Sequence, residues 1–413
     1  VATAVDAGDL DGAMEAYEAL RAVDGPDGAV LSPVAALLLE REARSEDPRR
    51  RRAALQQLSL AGVRGGPVIR RLAELPGRPP ARVGALTILA RRGSTRARLA
   101  LRAFADEADP SLLRASILGM EPDADRDLLL ELLGNPDAAV RGAAAEVLRA
   151  ASAHPAVRAA LLSVAPNDPE APVRAAAVRA LGAPAAANEA VRSTLRDRLA
   201  DPSSAVRMAA VRALVDVDPA LAERSLGALL EVAPSPTGIE AARVLAARPG
   251  GLAEAALAFL LAALTAPDPA LRAQVAVAFA GMPARVALPE ARLAAHLATE
   301  PDPRVRLGLA RGLLEGRPDD AEAALRRLGR GPTSMAQVQA ASLLAARGAG
   351  PARRWLRAAL AHPDPLLRRT AARALARDAG DADGARVALR DPDPIVRIYA
   401  AGGILALPTR YDP

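Results

Sequence analysis

The residues best suited to metal binding or proton transfer are three histidines, His154, His296 and His362, which stand far apart in a chain without cysteine. None has a second histidine four positions away, so no helix face carries the paired imidazoles of a zinc site. A glycine-flanked serine elbow, a phosphate-cradling glycine loop and a dinucleotide fingerprint are likewise missing from the sequence. "DAGDLDG" (6–12) and "DAGDADG" (378–384) alternate acids as a calcium loop does. Counting Gly12 or Gly384 as the sixth position puts Ala7 or Ala379 first, so each reads as a turn before a helix. No catalytic, cofactor-binding or metal-binding residue is assigned, and no cofactor is expected.

The recurrent chemistry is arginine beside a turn carboxylate or amide. The sequence contains no lysine, so all 54 basic residues are arginine. A turn residue is followed six positions later by arginine in Asn135/Arg141, Asp168/Arg174, Asp201/Arg207 and Asp391/Arg397. A guanidinium offers a planar fork of donors that matches a carboxylate bidentately. These pairs sit in a phrase that recurs along the chain, as in "NDPEAPVRAAAVRALG" (167–182) and "DPSSAVRMAAVRAL" (201–214). About twelve such units of roughly 27 to 34 residues fall in the period range of solenoids.

The elements that position the arginines follow from the phrase. Proline ends one helix and is tolerated in the first turn of the next, where Asp, Asn or Ser caps. Val206, Ala210, Ala213 and Leu214 then recur at helical spacing. Between phrases runs a second amphipathic helix, such as 188–200 with Val191, Leu195 and Leu199 on one stripe. Each unit is therefore a helical hairpin.

This unit resembles the short bacterial HEAT repeat, also called the phycobilisome-lyase HEAT-like repeat, over residues 45–407. The resemblance implies an all-α, right-handed α-solenoid of about twelve hairpins, each touching only its sequence neighbours. It further implies a ladder in which the turn carboxylate of one unit meets an arginine of its neighbour. Arg82, Arg114, Arg272, Arg306 and Arg368 would join Arg141, Arg174, Arg207 and Arg397 as structural residues. The pattern fails at 237–242, which has no arginine, and at 337–339, where Gln337 or Gln339 stands instead. Residues 1–44 are acidic and resemble a tetratricopeptide hairpin over 7–25, which reads as an N-terminal cap; residues 408–413 form a short tail. HEAT-like DNA glycosylases hold a damaged base with aromatic residues, whereas only 2% of this chain is aromatic. Its one tryptophan, Trp355, reads as a packing residue.

Charge is uneven. Residues 1–48 hold eleven carboxylates and three arginines, residues 49–104 hold fourteen arginines and one glutamate, and the rest is nearly balanced. The basic band predicts an acidic protein partner for Arg49, Arg50, Arg51, Arg52, Arg70, Arg71, Arg91, Arg92, Arg96 and Arg98, or neutralisation by the acidic cap. The last phrase helix (394–407) is apolar nearly all round, so Ile395, Ile398 and Tyr399 are expected to lie under the tail, another subunit or a partner. The leading functional expectation is a noncatalytic scaffold for protein partners, with self-association through the apolar end or the acidic cap. The alternative is an anion-binding module using Arg49–Arg102 on nucleic acid or anionic lipid; a glycosylase or chromophore lyase comes last. No apolar run of membrane-spanning length occurs. A start at Val1 fits a trimmed chain or an exported one, leaving cytoplasm and bacterial periplasm or cell envelope open.

Overall fold

A computed structural model describes residues 1–24, 28–77, 79–104, 109–182, 188–217, 219–248, 251–377 and 381–406. Among them are twenty-six α-helices and no strand, an α-solenoid of successive hairpins. Their contacts gather into two compact units, Val1–Leu89 with Leu314–Pro413, and Ala90–Leu313. The contacts part at 89/90 and 313/314, and residues 408–413 lie outside the described residues.

The repeated phrase starts a helix for the reasons its residues suggest. Asp47, Asp109, Asp268 and Asp393 each accept a hydrogen bond from the main-chain N–H two residues on, with proline at the first helical position. The free donors of the first turn are thereby satisfied where proline has already ended the preceding segment.

In the unit Ala90–Leu313, helices started by the phrase stack on one another, as Ala138–Leu148, Ala171–Leu181 and Ser204–Val217 do. Each also packs on its hairpin partner, for example Pro155–Asn167 on Ala171–Leu181. A helix with neighbours on three sides needs small residues nearly all round. Ala171–Leu181 accordingly buries Val173, Ala175, Ala176, Ala177, Val178, Ala180 and Leu181. At Gly308 a Cβ would stand 2.6 Å from the Ala276 Cβ of the preceding phrase helix, so only glycine admits that approach. A buried methyl group contributes about 0.8 kcal/mol, and one alanine face slides readily over another. Register between repeats therefore needs directional bonds.

The other unit joins the two ends of the sequence. Leu31, Val34, Ala35, Leu38 and Leu39 form one stripe of the helix Gly28–Ala43 and share a core with Val396, Ile398, Ala401, Ile404 and Leu405 of Pro394–Leu405. Pro394–Leu405 also packs on Pro48–Leu60, so the expectation that each repeat touches only its sequence neighbours does not hold. Gly402 and Gly403 make this possible. A Cβ on Gly402 would lie 2.7 Å from the Gln57 Cβ, and one on Gly403 2.5 Å from the Ala376 Cβ, so the helix meets a neighbour on each side. Arg386 seals the edge by donating to Glu18 at 2.8 Å, with Arg390 3.4 Å from the same carboxylate.

Candidate interaction surface

The repeated turn has one geometry. In the unit Ala90–Leu313, Asp168 accepts from the Glu170 N–H at 2.9 Å, fixing the turn. Its main-chain oxygen and that of Pro169 each accept from Arg174 Nη1 at 3.0 Å. Its carboxylate receives Nε and Nη2 of Arg141 from the preceding repeat at 2.7 and 3.0 Å. One repeat on, Arg174 forks onto Asp201 at 3.1 and 3.0 Å. The same fork joins Arg272 to Glu300 (3.0 and 2.9 Å) and, in the unit of the chain ends, Arg368 to Asp391 (2.8 and 3.1 Å). Arg174 holds the Asp201 carboxyl below its ordinary value against the opposing effect of burial. Burial pushes the Asp168 carboxyl up, but Arg141 and the Glu170 N–H together bring it down.

Several expected rungs differ. Asn135 accepts from the Asp137 N–H and offers its main-chain oxygen to Arg141 at 2.9 Å. Arg207 donates to the main-chain oxygens of Asp201 and Pro202 at 2.8 and 3.0 Å, and no described carboxylate takes its fork, because the next turn carries Ala233. Arg397 likewise holds the oxygens of Asp391 and Pro392. Arg82 bonds the Gly77 oxygen and Arg306 the Pro301 oxygen. Arg114 is exposed: it stands five residues after its cap Asp109, where Arg141 stands four after Asp137, and one residue turns a side chain by about 100°.

The gaps follow a rule. The repeat with Ile239 in place of arginine is followed by a turn with Ala266 in place of an acid, and the repeat with Val338 by a turn with His362. A buried carboxylate deprived of its arginine is costly, whereas an arginine deprived of its carboxylate still bonds its own turn. His362 keeps the turn, its Nδ1 accepting from the Asp364 N–H at 3.0 Å, and His154 Nδ1 accepts from the Ala156 N–H at 3.3 Å. Trp355 packs its ring against Gly329.

Some pairs escaped the sequence reading. Arg357 forks onto Asp381 at 2.6 and 2.6 Å, and Arg102 bonds Asp125, each joining consecutive second helices of hairpins. The signal was present as an acid 23 or 24 residues after an arginine, immediately before the next second helix. Asp381 also accepts from the Gly384 N–H, as Asp9 does from the Gly12 N–H, so both acidic stretches begin helices. Among the described residues no three His, Asp or Glu side chains are placed to hold a metal.

The basic band falls in both units. In the unit of the chain ends, Arg51 is a turn clamp, bonding the Ser45 and Glu46 oxygens at 2.9 and 3.3 Å. Arg50 donates Nε at 2.7 Å to Glu42, which is wholly buried, and Arg71 donates Nε at 3.0 Å to Glu40. Arg49, Arg52 and Arg70 are exposed. In the unit Ala90–Leu313, Arg91 bonds the Leu118 oxygen at 3.1 Å and Arg98 pairs with Glu121, while Arg92 and Arg96 are exposed. Ile398 is wholly buried in the core of the chain ends, with Ile395 and Tyr399 half-buried against it, and Arg369 lies 5.4 Å from the Tyr399 ring centre. Ile398 is covered by the chain's own helices Gly28–Ala43 and Pro48–Leu60, whereas Ile395 and Tyr399 keep part of their surface in solvent.

A groove of about 870 Å³ opens in the unit of the chain ends, between the helices Ala2–Asp6, Gly28–Ala43 and Gly66–Ala73. Leu37, Val68 and Leu405 line its floor and Arg41, Arg44 and Arg71 its rim.

The sequence profile of the family described as HEAT repeats matches residues 118–182 and 158–246. No curated protein matches. Among solved structures, the chain is similar to Kap95p in work on its binding to RanGDP, at 13% identity and a TM-score of 0.36 over 89% of this chain and 59% of that one. It is similar to Kap95 in a Kap95:Nup1 complex at 14% identity and a TM-score of 0.37, over 89% and 60%. It is also similar to the karyopherin Kap121p bound to the extreme C-terminus of the protein phosphatase Cdc14p, at 12% identity and a TM-score of 0.37, over 96% and 65%. The chain spans about three-fifths of the length of these solved chains. The matched residues 118–246 contain the rungs Arg141–Asp168 and Arg174–Asp201, and the same turn and fork recur at Arg272–Glu300 and Arg368–Asp391, so the chain is a HEAT-repeat protein.

Proposed function

We propose that the protein is a noncatalytic scaffold that presents faces of its stacked helices to protein partners. The carrying observation is that the polar residues recurring with the repeat are occupied in holding the fold. Ladder arginines and acids bond repeat to repeat, two histidines fix turns, and Asp9 and Asp381 cap helices. Stacked hairpins meanwhile offer long surfaces without disturbing the core. Arg49, Arg52 and Arg70 on one unit, and Arg92 and Arg96 on the other, are exposed points at which acidic partners can contribute to specificity and on-rate. No helix among the described residues is long and apolar enough to cross a membrane. The test is cross-linking in the source cells, followed by purification and mass spectrometry of linked peptides. A reproducible protein linked to defined repeats is expected. Recovery of no protein above control, or turnover of a small molecule by the purified chain, would overturn the reading.

A further inference from the structure

The groove of the chain ends has a chemistry that names its occupant. Arg41, Arg44 and Arg71 of its rim have one lining carboxylate, Glu40, and buried Glu42 behind it, which Arg50 outside the groove already engages. Glu40 takes Arg44 at 2.6 Å and Arg71 at 2.5 Å, and Glu42 takes Arg50 at 2.6 Å with Arg41 at 3.6 Å. A carboxylate can satisfy one guanidinium fork well, so two positive charges and several N–H donors are left over. Those donors face water: the side chains of Arg41, Arg44 and Arg71 are 51%, 48% and 54% exposed. Between them the floor is apolar, formed by Leu37, Val68 and Leu405.

We propose that this groove docks an acidic peptide segment of a partner protein, an apolar side chain entering over Leu37 and Val68 while flanking carboxylates engage Arg41, Arg44 and Arg71. The proposal rests on the scaffold reading and gives it a site and a class of partner. Charge complementarity selects an anionic occupant, and the floor selects among anions. A nucleic-acid strand needs aromatic platforms for its bases, and no aromatic residue lines the groove. A small anion leaves the apolar floor and most of the volume unused.

The probe is a labelled twelve-residue peptide of Asp and Glu with leucine at helical spacing, titrated against the full chain by fluorescence anisotropy. Binding that weakens with salt is expected, and the Asn/Gln counterpart should not bind. Arg44→Gln with Arg71→Gln should weaken binding roughly 10-fold or more, as loss of charge-assisted contacts does. Arg327→Gln with Arg330→Gln, exposed and outside the groove, should leave it unchanged. A photoreactive group at the central leucine should label residues 33–44 and 64–71 of the wild-type chain, a readout independent of any variant's folding.

Equal or tighter binding of a dT12 oligonucleotide or of phosphatidylglycerol vesicles, lost in the same double variant, would overturn the assignment to a peptide. Dimerisation of the chain that the double variant abolishes would make a second copy the occupant and overturn it as well. So would peptide binding indifferent to Arg44 and Arg71, or labelling elsewhere. If cells yield the same cross-linked partners with wild type and double variant, the groove fails and the scaffold reading stands. If wild type yields none, the scaffold reading itself fails.

Discussion

The rung between Arg174 and Asp201 makes a quantitative prediction. The Asp201 side chain is 1% exposed and that of Arg174 12%. Removing one member of a buried pair costs about 3 to 5 kcal/mol, because the other charge is stranded. In Arg174→Ala the stranded carboxylate keeps the Ser203 N–H at 2.9 Å and has Arg198 within 3.5 Å, so about 2 to 4 kcal/mol is expected. Arg207→Ala removes two bonds to main-chain oxygens of a partly hydrated turn, worth about 1 kcal/mol. The double variant of Arg174 and Asp201 should lose about 1 to 3 kcal/mol less than the sum of its singles. The double variant of Arg207 and Asp201 should be additive within about 0.5 kcal/mol, since Arg207 bonds an oxygen that every residue carries. A chain of this length unfolds in parts, so the assay is hydrogen exchange over 168–217. Exchange there should accelerate roughly 30- to 1,000-fold in Arg174→Ala and about 5-fold in Arg207→Ala. Equal effects of the two arginines, or additivity of Arg174 with Asp201, would refute the assignment of the rung.

Three further outcomes follow from the same geometry. Gly402→Ala should destabilise the joined chain ends by about 1 to 3 kcal/mol through overpacking on Gln57, read as faster proteolysis there, whereas Gly350→Ala, with open space around its Cβ, should not. Arg304 holds the Asp302 carboxyl at about 2 against its ordinary 3.8, and Asp168, Asp201, Glu300 and Asp381 are also lowered. The unfolded chain binds more protons in that window, so stability should be fully present above about pH 5 and fall as the pH drops towards about 2, measured by thermal melting. Ala233→Asp supplies the turn acid that Arg207 lacks and should slow exchange around 201–217, by up to about 5-fold for a gain near 1 kcal/mol.

The sequence by itself determined the hairpin, because proline, cap and arginine act within one turn. Asp201, Pro202 and Arg207 lie close enough in the chain that their bonds follow from local geometry. It also carried the gaps, since the arginine and the acid replaced by Ile239 and Ala266 are lost together for a reason of charge burial that spacing displays. Which arginine meets which acid was less legible. The rung from Arg174 to Asp201 spans 27 residues and that from Arg368 to Asp391 spans 23, so helix length and stacking decide it. Arg51 looked like one of a run of four charges, and its bonds to the Ser45 and Glu46 oxygens separate it from exposed Arg49 and Arg52.

The tertiary structure alone decided the fate of the apolar last helix. Ile398 and its neighbours showed that something must cover them, but nothing local says what, because a hydrophobic face has no directional preference for its partner. The partner is the first part of the same chain, through a helix with Leu31, Val34 and Leu38 on one stripe and a Gly402–Gly403 pair that lets backbones approach. Each of these features is visible in the sequence, some 370 residues apart. Their meeting is a matter of packing between segments distant in the chain, which no single repeat encodes.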